Sequence, residues 1–173
     1  MKQFFLISYL GLAGLLIGCA SSSSSGIELT VSRGDATAPY AGTYAGTVSL
    51  TSTADVVGVG ATTNQRVESM SVQVTADGLA FLTVRGVTVT GVVDNDGSWG
   101  VQLSIDDMRS LLSEQTISRL RDAGCPFSIK AARIQGRIDP PGMRADVSGV
   151  LKCKRAEVTV ATLSTAGTLA ASR

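Results

Sequence analysis

The chain has 173 residues, which suits one domain with a packed core and leaves little room for a second. Apolar residues make up 44% and the formal charge is +1, which argues against global disorder and against a surface built to attract nucleic acid. There is no histidine, so Ser–His and Cys–His catalytic pairs, histidine metal ligands and a histidine pH switch are all excluded.

At the start, Lys2 gives a short positive region and Phe4 to Ile17 is almost wholly apolar, broken by Ser8, Gly11 and Gly14. Fourteen residues of helix would span roughly 21 Å, short of a bilayer's hydrocarbon core of about 30 Å. That length fits a signal peptide rather than a permanent span. Leu16-Ile17-Gly18-Cys19 then resembles the lipobox of bacterial lipoproteins: an apolar residue three places before the cysteine, a small one directly before it, then the cysteine. The resemblance covers residues 1–25. It implies diacylglycerol on the Cys19 thiol, removal of residues 1–18, and Cys19 as the first residue of the mature chain. Ala20 follows where Asp would direct retention in the inner membrane, so the resemblance implies outer-membrane sorting, with the body facing the periplasm. Cleavage removes Lys2 and no acid, leaving 14 basic and 14 acidic residues.

Ser21 to Ser25 is an unbroken serine run followed by Gly26, a composition that behaves as flexible coil. Residues 19–38 are accordingly expected to be mainly tether. Ile27, Leu29 and Val31 alternate as a short strand would. Residues 39–164 form the expected globular domain, and residues 165–173, small and polar, an expected frayed tail.

From Gly42 onward apolar and polar residues alternate with a period of two, the mark of half-buried strands. Tyr44, Gly46, Val48 and Leu50 share one face. Tyr44-Ala45-Gly46-Thr47 also resembles the first strand of lipocalin-like barrels, a four-residue likeness that brings no ligand site with it. Residues 53–64, rich in Thr, Gly and Ala, read as a mobile loop. Met70, Val72 and Val74 resume the alternation. Ala76-Asp77-Gly78 makes a turn, Leu79 to Val84 is apolar on both faces except Thr83, and Val87 to Val93 alternates again. Asp94-Asn95-Asp96-Gly97 closes the next hairpin before Trp99, Val101, Leu103 and Ile105.

At Asp106 the spacing becomes helical, with Ser104 or Asp106 as cap, Asp107 favourable near the positive helix end, and Gly124 as the stop. Strands resume at Phe127. A change of phase before Ile134 implies a bulge, and Asp139-Pro140-Pro141-Gly142 must turn. Met143 to Cys153 alternates, and Val158 and Val160 open a last strand. The fold expected is mainly β: an antiparallel meander closed into a small barrel or sandwich, with one helical insert at about 106–123.

Once Cys19 carries lipid, Cys125 and Cys153 remain. An exported, oxidising location makes a Cys125–Cys153 disulfide the default, and a hairpin centred on Pro140-Pro141 brings them within three residues of register. Asp94-Asn95-Asp96-Gly97 opens like a calcium loop, but Ile105 stands where the bidentate glutamate belongs. Asp94, Asp96, Asp106 and Asp107 are near in sequence but sit at turns and a helix cap, where acids are ordinary. Lys130, Arg133, Arg137, Lys152 and Lys154 read as the solvated face of a sheet. No phosphate loop, nucleophile elbow or cofactor fingerprint occurs, so no cofactor and no metal are expected. A membrane-spanning barrel is disfavoured, since three of the eight aromatics fall in the signal and the rest cannot form two girdles.

Three functions compete. The leading one is a non-enzymatic, lipid-anchored binding or assembly accessory, held to the membrane through Cys19 and working with envelope protein partners. A lipocalin-like carrier of a small apolar ligand would need a large cavity; Met70, Val72, Phe81, Trp99 and Leu103 filling the core would count against it. A histidine-free carboxylate hydrolase would need two acids lining one cleft.

Overall fold

The computed structural model describes residues 29–35, 37–111 and 127–173. The signal peptide, the lipobox with Cys19, the serine run, Cys125 and the second half of the expected helix lie outside the described residues.

Eight antiparallel strands close into a barrel in which every strand pairs with its neighbours in sequence and β1 also pairs with β8. They are β1 (Gly42–Val56), β2 (Gly60–Val74), β3 (Leu79–Val84), β4 (Val87–Val93), β5 (Ser98–Gln102), β6 (Phe127–Asp139), β7 (Gly142–Arg155) and β8 (Val158–Ser172). A helix, α1 (Ile105–Leu111), follows β5. The expected antiparallel meander is thus a barrel. Closure satisfies the strand edges that a sandwich would leave open.

The alternation explains which side faces in. Tyr44, Val48, Met70, Val72, Leu82, Val89, Trp99, Ile134, Met143 and Leu169 point inward as one core. The outer wall carries Thr, Ser and charged side chains. A barrel in lipid has the opposite arrangement, an apolar band outside. Phe81 is the exception to the core predicted from sequence: Ala80, Leu82 and Val84 fill the interior, leaving Phe81 half-exposed on the outer wall beside Thr83 and Gln73. β3 is apolar on both faces, and a period of two cannot then choose between them.

The wall is uneven. β1, β2, β7 and β8 have 14 or 15 residues, whereas β3, β4 and β5 have five to seven. At about 3.3 Å per residue the long strands reach about 50 Å and the short ones about 20 Å. The barrel therefore has a closed end, where β1 starts and β8 ends, and a slanted mouth from which the β1–β2 and β7–β8 hairpins project.

Three expectations are corrected. Residues 53–64 are not a loop: β1 runs to Val56, residues 57–59 turn, and β2 starts at Gly60, with Thr53 bonded to Thr63 across the pair at 3.0 Å and Ser52 to Thr165 at 3.1 Å. Residues 165–173 do not fray, because β8 continues to Ser172 between β7 and β1. Residues 29–35, 37 and 38 are not tether. They lie against the barrel: Val31 is buried, Gly34 N–H bonds Val93 O at 2.9 Å, and buried Thr37 donates to Ala76 O at 2.9 Å.

The bulge stands between Ile129 and Ala131, slightly earlier than the phase change predicted, and the β6–β7 turn passes through a cis Pro140–Pro141 bond. At the helix start, Ser104 and Asp107 cap reciprocally: Ser104 N–H reaches the Asp107 carboxylate at 2.8 Å, and Asp107 N–H reaches Ser104 Oγ at 3.1 Å.

Candidate functional site

The closed end is sealed by side chains. Trp99 on β5 lies opposite Gly136 on β6, which in turn lies opposite Ala145 on β7. A Cβ at Gly136 would meet the Arg144 carbonyl oxygen, and that same oxygen accepts a hydrogen bond from Trp99 Nε1 at 3.2 Å. Glycine there lets the indole lie flat across two strands. Tyr44 is fully buried beside it; its hydroxyl donates to Tyr40 O at 2.8 Å and accepts from Arg173 Nη2 at 2.7 Å. The Arg173 guanidinium also lies over the Tyr44 ring, 5.0 Å from its centre, and donates to Pro39 O at 2.8 Å. The last residue thus locks the first strand and the segment before it.

The mouth has a different chemistry. Its floor is apolar, formed by Leu82, Val84, Val89, Leu103 and Ile134, with Met108 of α1 over it. Arg66 and Glu68 of β2 and Arg85 of the β3–β4 turn stand around the rim. The cavity beneath is about 70 Å³. Pockets for drug-sized ligands run from about 300 to 1,000 Å³. Arg66 and Glu68 were missed in the sequence because they fell beside the supposed loop. The signal was present: they continue backward the inward phase of Met70, Val72 and Val74.

The acids predicted as a possible cluster are held at turns. Asp96 accepts from Ser98 N–H at 2.8 Å and Ser98 Oγ at 2.9 Å, and these two bonds hold its carboxyl below the ordinary range. Asp94 receives Asn95 N–H at 2.7 Å and Ser32 Oγ at 3.1 Å, the pattern of a hairpin turn. Asp77 is lowered first by the Thr75 hydroxyl, at 2.5 Å, and also by Arg33, whose Nη2 is 2.5 Å away. Asp107 serves the helix cap with Asp106 beside it. Among the described residues no group of three acids or cysteines is arranged to hold a metal ion, and Glu68 is the one acid that lines the mouth.

Arg133 and Arg137 face outward on β6, and Lys152 and Lys154 outward on β7, as a solvated strip does; the Lys130 side chain lies outside the described residues. Cys153 is buried on the inner face of β7 opposite Phe127.

These features define a closed up-and-down β-barrel with a packed interior, a sealed end and a shallow amphipathic mouth. Set beside known proteins, the chain matches no family model, no curated protein and no solved structure.

Proposed function

We propose that this chain is a lipid-anchored lipoprotein of the bacterial cell envelope, facing the periplasm from the outer membrane, that binds or helps assemble other envelope components without catalysing a reaction. The observation that carries this reading is the packed interior. Tyr44, Trp99, Ile138, Met143 and Leu169 are essentially inaccessible and leave about 70 Å³ at the mouth. Recognition then falls to the outer wall and the rim, where a partner protein has room. The lipobox supplies attachment at Cys19, and two or three acyl chains together hold durably where one would not.

The carrier reading draws on the same mouth: an apolar floor under Arg66 and Arg85 suits the tip of a small amphiphile with an anionic head. Crosslinking in intact cells followed by native mass spectrometry separates the two. A crosslinked envelope protein supports the accessory, and a small lipid retained in the purified barrel supports the carrier and overturns our choice. The hydrolase reading needs a second acid, and among the described residues that line the mouth Glu68 is accompanied by Arg66 and Arg85 and by no other carboxylate.

We also propose a Cys125–Cys153 disulfide. Phe127, which follows Cys125 by two residues in the sequence, pairs with Cys153. A closed loop of this size contributes roughly 3–4 kcal/mol in the chain-entropy model. Protein alkylated without reductant should show no modified thiol at either position; two alkylated thiols would refute the bond.

A further inference from the structure

The projecting hairpins end in apolar side chains. Among the described residues five large hydrophobic side chains are exposed, and four of them, Val56, Val57, Val59 and Val158, stand at these two tips; Val57, Val59 and Val158 are 74%, 83% and 64% exposed. The tips are tied together, since Val57 N–H bonds Val160 O at 3.1 Å. They form one patch at one end of the molecule. Just beneath it on β7 lie Lys152, Lys154 and Arg155, against the acids Asp55 and Glu157, of which Glu157 pairs with Lys154 at 3.4 Å. Apolar tips above a mildly basic collar match a bilayer surface with anionic headgroups.

The path of the N-terminal segment says which surface is within reach. Read backward from Gly34 at the β4–β5 turn, the chain climbs the outer wall. Thr30 bonds the Gln135 side chain, and Leu29 covers Gly100 of β5. This climb runs toward the tips. Gly100 is in register, strand by strand, with Gln135, Asp146 and Thr168, and strand tilt sets Thr168 on the order of 8 Å nearer the mouth. From Thr168 to Val158 the strand rises about 33 Å along its length, or on the order of 25 Å along the axis of a tilted barrel. The ten residues from Cys19 to Leu29 reach at most about 35 Å. A lipid on Cys19 and the valine tips can therefore meet the same plane with little slack.

We propose that the tips of the β1–β2 and β7–β8 hairpins are a second membrane contact, seated in the headgroup region of the bilayer that holds Cys19. The inference rests on the lipid-anchor reading, and it fixes an orientation: mouth toward the membrane, sealed end toward the periplasm. The barrel would then stand upright on its bilayer.

The test uses full-length protein purified from membranes and returned to vesicles of phosphatidylethanolamine and phosphatidylglycerol, with or without brominated acyl chains. The native chain has one tryptophan, Trp99, fully buried in the core at the sealed end. Val57→Trp and Val59→Trp each add a reporter at an exposed turn, where folding is undisturbed, and Arg144→Trp adds one on the wall near the sealed end. The two tip variants should blue-shift on either kind of vesicle and be quenched by the brominated chains, while Arg144→Trp and the native protein stay unchanged. Unquenched tips on protein whose intact mass shows diacylated Cys19 overturn the inference and leave the anchor standing. Quenching that is equal at Arg144→Trp also overturns it. Should Cys19 carry no lipid, the anchor reading fails; quenched tips would then show membrane contact of their own, and unquenched tips would end both.

Discussion

Tyr44 and Arg173 show how single residues close this fold. The Tyr44 hydroxyl is buried with a donor and an acceptor in place, so removing it leaves the half-buried Tyr40 carbonyl without this partner and takes an acceptor from the Arg173 guanidinium. Tyr44→Phe should cost about 1–3 kcal/mol in urea unfolding, and Arg173→Ala a comparable amount; a tail that frayed would tolerate the second without effect. Trp99→Ala should cost about 3–5 kcal/mol by opening a cavity and removing the indole's hydrogen bond to the Arg144 carbonyl. Trp99 and Tyr44 were legible as inward-facing because the alternate positions of their strands carry Ser98, Gln102 and Ser104, and Thr43, Thr47 and Ser49. Arg173 was not, because nothing in a run of small residues announces that its final side chain will reach back across the barrel. Phe81 was misjudged because Thr83 is the one polar residue on its strand, a single mark of the outer face.

Among the elements, the strap of residues 29–35 and 37–41 and the β7–β8 turn make the clearest predictions. Arg33 and Asp77 pin the strap to the β2–β3 turn. Since the Asp77 and Asp96 carboxyls are lowered in the folded state, their stabilisation is present above the ordinary value of 3.8 and is lost as pH falls through the lowered values. Asp77→Asn should therefore flatten part of the acid limb below about pH 4 in denaturation midpoints, with little change in its slope at pH 7. At the β7–β8 turn, Ala156 and Glu157 both hold positive φ, at 47° and 65°, a conformation that Asn-Gly adopts with far less strain. Replacing the pair with Asn-Gly should raise stability by about 1 kcal/mol, read as a higher urea midpoint; the exposed Lys154–Glu157 pair contributes little to offset this. Strand existence was readable from alternation almost throughout. The ends were not: Thr and Gly at 53–64 resemble a loop in composition, and only pairing with β8 and β2 makes them sheet.

For the whole molecule, closure of eight strands and the uneven wall height were beyond local reading, because both depend on which strands find each other rather than on any one strand's pattern. The consequence for function is a division of surfaces. The interior is filled, the mouth is shallow, and the outer wall carries hydroxyls on β1, β2 and β8 and charges on β6 and β7. Filling the mouth tests the division directly: Val84→Trp should leave partner crosslinking unchanged, whereas a carrier would lose its bound lipid. Beneath all of this lies the chemistry of one sulfur. Mass spectrometry of the amino-terminal peptide from protein extracted from membranes should find Cys19 as the first residue with a diacylglyceryl thioether. A free Cys19 thiol, or residues 1–18 still attached, would contradict the account.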